Sequence, residues 1–186
     1  MKYRRINFYA GAAAGKSGTA AWLFSQLKSR GIRCAQVKEL VEEWAWEGKL
    51  PKSFDQVFLF ASQLHREDTL LSNGADVVVC DSPLLLSCCY GKMFLTPGWE
   101  EMVNIARLFE EQFPAIHIML RRGKWEIDPA GRFVSSEGVH ADAAANDRVV
   151  EEFVCGNLGN RQLYTIDTVD REECLKLVLE KLGISA

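Results

Sequence analysis

The sequence has no C-x-x-C pair: its six cysteines (Cys34, Cys80, Cys88, Cys89, Cys155, Cys174) and three histidines (His65, His117, His140) are scattered. That excludes zinc-ligand spacing and reads as the thiol usage of a reducing cytoplasm. Cys80, Cys88 and Cys89 stand among apolar neighbours, where a free cysteine acts as a small hydrophobe. No apolar run approaches the roughly 20 residues of a membrane span. The stretch after Met1-Lys2-Tyr3-Arg4-Arg5 is cut by a glycine loop before a signal-peptide core can form. An excess of positive charge is missing too: 22 basic against 25 acidic residues give a net charge of −3. This excludes a protein coated in positive charge for wrapping nucleic acid, though not a local basic groove. With no internal repeat, linker or low-complexity tract, the 186 residues are expected to form one globular domain, 1–186.

What is there is an alternation of short apolar runs and helical patterns. Ile6–Ala10 reads as a buried strand, and Lys16–Arg30 as a helix closed by Gly31. Cys34–Lys38 is a second strand, running into the acidic and aromatic stretch Glu39–Trp46. Ser53 followed by Gln56 has the form of a capping box and predicts a helix over Phe54–Ser72, ended by Gly74. Ala75–Cys80 is the clearest buried strand, and Pro83 stands where the next helix is expected to begin. Trp99–Gln112 reads as a helix, Ile116–Leu120 and Leu163–Ile166 as strands, and Arg171–Leu182 as the last helix. This order predicts a three-layer α/β/α fold with a five-stranded parallel sheet and ligands at the strands' carboxyl ends. The polar, glycine-containing segment over about 121–140 is longer than an ordinary connection and reads as a lid.

Between the first strand and the first helix lies Ala10-Gly11-Ala12-Ala13-Ala14-Gly15-Lys16-Ser17, a phosphate-loop pattern with Ala10 in place of its usual first glycine. Small residues let successive backbone N–H groups curl around phosphate oxygens, and the helix N-terminus adds partial positive charge. Gly11, Ala12, Ala13, Ala14, Gly15 and Gly18 are therefore expected around a nucleoside triphosphate such as ATP. Lys16 would reach its β- and γ-phosphates, and the Ser17 hydroxyl would ligate Mg²⁺. Alanine at position 10 forgoes any backbone angle reserved for glycine.

Asp81 follows the apolar run Val77–Cys80 and so falls at the carboxyl end of the third strand. An acid there holds Mg²⁺ or activates a nucleophile, and capping the helix after Pro83 is compatible with either role. Glu39 ends the second strand and, in a parallel sheet, lies near Asp81. With Glu42 and Glu43 it reads either as part of a solvated helix face or as the acceptor of a hydroxyl proton. Arg121 and Arg122 end the fourth strand, and Lys124 and Arg132 follow in the lid. Arginines closing over a transferring phosphoryl group stabilise its spread charge; Arg121 and Arg132 are the candidates for the reaction and Arg122 for the nucleotide.

Other phosphate-loop classes fit less well. There is no NKxD motif for a switch GTPase and no LSGGQ-like signature for a transporter ATPase. A small kinase remains. The combination INFYAGAAAGKS, LFSQLKSRG, VKELVEEWAWEG, FDQVFLFASQLHR and VVVCDSPLLLSCCY, continued by LRRGKWEIDPAGRFVSSEGVHADAAANDRVV, resembles the small phosphate-loop kinases encoded by bacteriophages, over Ile6 to Val150. The resemblance implies a nucleoside-monophosphate-kinase-like fold, ATP and Mg²⁺ as cofactors, and the host cytoplasm as location. That family includes the 5-hydroxymethyluracil DNA kinases, so it also implies phosphorylation of a base hydroxymethyl group in phage DNA on the way to hypermodified thymidines. Carried over, Lys16 and Ser17 take the phosphate and Mg²⁺ roles, Asp81 is the prime acid, and Arg121 and Arg132 are lid arginines. Trp125 stands where a tyrosine is expected.

Trp44, Trp46 and Trp125 fall on the acceptor side, where aromatics stack on a base turned out of a duplex or on a free nucleoside, or simply pack in the core. Gln63 and Arg66 share a helix with Phe58. The Gln63 amide is matched to a base edge and Arg66 to an acceptor phosphate, with surface roles as the alternative. Lys2, Arg4, Arg5 and the lid basics are candidates for a DNA phosphate backbone. Three readings stay open: a kinase of hydroxymethylated pyrimidine in DNA, a kinase of free deoxynucleosides or deoxynucleoside monophosphates, and a nucleotide-binding regulatory protein without acceptor chemistry.

Overall fold

Strand β1 (Arg5–Tyr9) alternates two kinds of side chain, and the alternation builds two different cores. Ile6 and Phe8, with Ala10 beyond the strand, face one side of the sheet; Tyr9 belongs to the other. The computed structural model describes residues 2–12, 14–49, 51–52, 54–122 and 143–184. After β1 come α1 (Lys16–Ser29), β2 (Cys34–Val37), α2 (Leu40–Trp46), α3 (Asp55–Ser72), β3 (Val77–Cys80), α4 (Leu84–Met93) and α5 (Trp99–Gln112). The chain continues with β4 (Ala115–Arg121), α6 (Ala143–Asn157), β5 (Leu163–Asp167) and α7 (Arg171–Leu182). The five strands are parallel, in the order β2-β3-β1-β4-β5. Helices α1 and α7 cover one face, packing Leu23, Leu27, Val178 and Leu179 on Ile6, Phe8, Val79 and Ile118. Helices α3 to α6 cover the other through Phe60, Leu86, Val103 and Val154. The fold is thus the three-layer α/β/α arrangement that the sequence predicts. Among the described residues no helix is long and apolar enough to cross a membrane.

Element ends differ from expectation by a residue or two, with readable causes. β1 begins at Arg5 because that charge is buried rather than exposed. Helix α3 begins at Asp55, with Phe54 at its N-cap and no side-chain capping hydrogen bond. Of the expected capping box, Gln56 is buried and Ser53 lies outside the described residues. The Asp55 carboxylate accepts from the Lys52 N–H at 2.8 Å. The stretch Glu39–Trp46 forms α2 from Leu40 onward. Burial holds the thiols as packing groups, pushing Cys88 up to about 12 and Cys89 to about 11.

The core on the α3–α6 face has a polar interior. Arg5 bonds Glu67 at 3.0 Å, Glu110, and the Phe113 carbonyl at 2.8 Å. Glu110 also accepts from the Ala115 N–H at 2.7 Å and pairs with His117 Nε2 at 3.1 Å. His117 Nδ1 in turn meets the Tyr9 hydroxyl at 3.0 Å. Arg4 donates to the carbonyls of Leu71, Ala75 and Asp76 at the turn between α3 and β3. Both arginines therefore sit at the amino-terminal edge of the sheet and are consumed by the fold. This corrects the expectation that they meet a nucleic-acid backbone.

Candidate functional site

Parallel register brings the functional ends together. Val37 pairs with Cys80 and Cys80 with Asn7, so Glu39, Asp81 and the loop after β1 emerge on one rim. β4 adds Arg121 and Arg122 to that rim, next to β1. This rim is where ligands of an open parallel sheet bind.

The loop has the curvature its composition allows. Gly15, at the N-cap of α1, has φ of 87°, a left-handed angle suited to glycine. Ala10 is not among the residues with positive φ, so alanine there costs the loop no backbone strain. The Lys16 ammonium folds back over the loop and donates to the carbonyls of Ala10 at 3.1 Å and Gly11 at 3.0 Å. Ser17 follows it half-buried, and Gly18 is exposed one position on. From the far side, the buried Thr168 hydroxyl lies 3.1 Å from the Ala14 carbonyl oxygen and 2.5 Å from that of Arg121.

A Cβ at Gly15 would meet Thr168 Cγ2 at 2.6 Å, in addition to the disfavoured φ. Gly15→Ala is expected to destabilise the protein by about 1–2 kcal/mol from the backbone alone. At this chain length that is a fall in Tm of about 2–8 °C. Thr168→Ser removes the clashing methyl and should return part of the loss in a thermal melt. No recovery would mean that the methyl contributes nothing.

The two acids stand side by side. Asp81 is buried at the end of β3, and the next residue, Ser82, donates its hydroxyl to Glu39 Oε1 at 3.1 Å. Glu39 is only partly buried, so it offers the more accessible carboxylate. Tyr90 on α4 faces the same corner. Burial first, then the acidic neighbours Glu39, Cys89 and Asp147, push its hydroxyl well above the usual range, leaving it a neutral hydrogen-bond donor.

Arg122 and Asp147, which is not among the candidate residues named from the sequence, close the site. Asp147 on α6 accepts from Arg122 Nε at 2.9 Å and Nη2 at 3.1 Å, and from the Gly11 N–H at 2.7 Å. Arg122 Nη2 also donates to the Ala12 carbonyl at 2.8 Å. Asp147 follows the lid sequence by a few residues, and only an aspartate early in the following helix hints at it.

The remaining candidates separate. The Arg121 side chain is exposed at the end of β4, and its carbonyl accepts from Thr168 N at 2.9 Å. Trp44 stacks on Phe58, with ring centroids 5.9 Å apart, on the helix that follows Glu39. Arg66 Nη1 reaches the Lys38 carbonyl at 3.4 Å, beside a cleft lined by Gln36, His65 and Thr69. Gln63 departs from expectation: it is buried and donates to Glu67 at 2.7 Å, so its amide serves the polar core instead of a base edge. Ala13, Lys124, Trp125, Arg132 and the lid beyond Arg122 lie outside the described residues.

Sheet order and layering define a three-layer α/β/α fold with a five-stranded parallel sheet. No family model and no curated protein matches the chain. Solved structures do. The NadR protein, seen in complex with NR, superposes at a TM-score of 0.69 and 13% identity over 99% of this chain. The chain spans 53% of the NadR chain that it matches. YorR of Bacillus subtilis, seen in complex with phosphorylated GDP, superposes at 0.55 and 18% identity over 96% of this chain and 95% of its own. An APS kinase of Mycobacterium tuberculosis gives 0.48 at 15% identity, over 98% of each chain.

Proposed function

We propose that the protein is an ATP- and Mg²⁺-dependent phosphotransferase of the nucleotide-kinase type. The observation that carries this reading is a single rim on which a phosphate loop with its lysine, two carboxylates from neighbouring strands and an arginine converge. That YorR shares the fold over nearly all of both chains and is seen with phosphorylated GDP supports a nucleotide ligand.

The donor set fits magnesium. The Ser17 hydroxyl and the Asp81 carboxylate are hard oxygen ligands, and among the described residues no three His, Cys, Asp or Glu gather into an all-protein cage. A bound ion would neutralise charge on the phosphates. Lys16 holds the β- and γ-phosphates. The acceptor hydroxyl oxygen bonds to the γ-phosphorus while the bond from phosphorus to the β–γ bridging oxygen breaks. We assign the released proton to Glu39, whose accessible carboxylate Ser82 orients, and the metal role to the buried Asp81.

The acceptor in this reading is nucleotide-like. The hydroxymethyl group of 5-hydroxymethyluracil in DNA is the finer reading that the phage-kinase resemblance implies. Burial of Arg5 and the use of Arg4 as a turn cap favour a free deoxynucleoside or its monophosphate, stacked on the Trp44–Phe58 pair. Transfer of labelled γ-phosphate from ATP, offered nucleosides, monophosphates, unmodified duplex and hydroxymethyluracil duplex side by side, separates them. Label on free nucleosides or monophosphates is expected. Label confined to the modified duplex would move the acceptor into DNA, and no label with ATP still bound would leave a nucleotide-binding regulator.

A further inference from the structure

Arg122 is held more firmly than a loop arginine needs to be. Asp147 grips it in a bidentate fork, at 2.9 Å from Nε and 3.1 Å from Nη2, which fixes the plane of the guanidinium. The same carboxylate takes the Gly11 N–H at 2.7 Å, and Arg122 takes the Ala12 carbonyl at 2.8 Å, so both side chains are tied to the loop. The loop is shaped around the carboxylate: a Cβ on Gly11 would stand 2.6 Å from Asp147 Oδ1 and 3.2 Å from the Asp147 backbone nitrogen. With Nε and Nη2 engaged, Nη1 is buried and has no hydrogen-bond partner among the described residues. Withdrawn donors of this kind are rare, and each asks for an acceptor.

Position says which acceptor. The lysine of a phosphate loop reaches the β- and γ-phosphates. Here its ammonium lies on the carbonyls of Ala10 and Gly11, the stretch that Asp147 and Arg122 grip. That is the γ end of the loop. We propose that Asp147 is a positioning residue, holding Arg122 so that its remaining nitrogen meets the terminal phosphate of a bound nucleoside triphosphate. The inference rests on the phosphotransferase reading above. Because the carboxylate offsets much of the guanidinium's charge while fixing its direction, the expected consequence is discrimination between triphosphate and diphosphate, not tighter binding of both.

Calorimetric titration with Mg-ATP and with Mg-ADP of the full chain, of Arg122→Ala, of Asp147→Ala and of the double variant tests this. The unaltered protein is expected to prefer ATP by about tenfold or more, the worth of a charge-assisted hydrogen bond. Each single variant should lose most of that preference, weakening ATP binding more than ADP binding. The double variant should match Arg122→Ala, since a residue acting only through its partner gives a non-additive cycle. Asp147→Asn, which keeps an acceptor for Gly11 N–H, should fall between and serves if Asp147→Ala does not fold. Additive losses, equal weakening of ATP and ADP, or a preference that survives in Asp147→Ala would each overturn the inference while leaving the kinase reading in place. A chain that binds neither nucleotide would overturn both.

Discussion

Replacing Lys16 with methionine is expected to slow phosphoryl transfer by about 10²–10³-fold, the usual cost of removing one preorganised charge from a developing anion. Methionine keeps most of the aliphatic stem and removes only the ammonium, which now bridges the Ala10 and Gly11 carbonyls at 3.1 and 3.0 Å. In the proposed reading those carbonyls belong to a loop that turns its N–H groups toward phosphate, and the lysine that holds the loop's first residues also reaches the nucleotide. Turnover should therefore fall much further than stability. A steady-state comparison with a thermal melt on the same samples decides the matter. Transfer within a few-fold of the unaltered protein would mean that the ammonium is not on the phosphates.

The largest expected loss of stability comes from the opposite edge of the sheet. Arg5→Met leaves two buried carboxylates, Glu67 and Glu110, without the cation between them. Breaking a buried ion pair from one side costs about 3–5 kcal/mol. For a chain of this size that corresponds to a Tm lower by about 6–20 °C. Adding Glu67→Gln and Glu110→Gln to Arg5→Met should recover part of the loss, because the stranded charges are gone. A triple variant less stable than Arg5→Met alone would show that the carboxylates are held by something other than Arg5. The same cluster shapes the acid limb of stability. Burial by itself would raise Glu110, but the hydrogen bond from His117, the charges of Arg5 and His117 and the Ala115 N–H bring it below its ordinary 4.5. A carboxylate lowered in the folded state contributes stability that is complete above its unfolded value and is lost as pH falls through the lower, folded one. Stability should thus decline below pH 4.5, with a shallower slope for Glu110→Gln in denaturant titrations at stepped pH.

Much of the site is legible in the chain. The phosphate loop is contiguous, so its glycines, Lys16 and Ser17 are bound to share one turn wherever the strand before and the helix after both form. Asp81 and Glu39 are legible for a related reason: each ends an apolar run, and parallel strands bring such ends to one rim. Gln63, Arg4 and Arg5 mislead because polar residues on a helix or near a terminus look solvent-facing. Here Gln63 and Arg5 build a polar core shared with His117 and Tyr9, and Arg4 caps the carbonyls of the turn between α3 and β3.

The order of strands and helices, the reading of the loop and the rim on which the acids lie were determined by local features, namely periodicity, turn residues and immediate neighbours. Only the tertiary structure decided the rest. Asp147 grips Gly11 and Arg122 across 136 and 25 positions of sequence, and Arg5 meets Glu67 and Glu110 across 62 and 105. An isolated charge carries no mark of its partner. Whether it is solvated, paired in the core or poised at a ligand depends on which distant backbone the packed layers set beside it, and on whether water can still reach it.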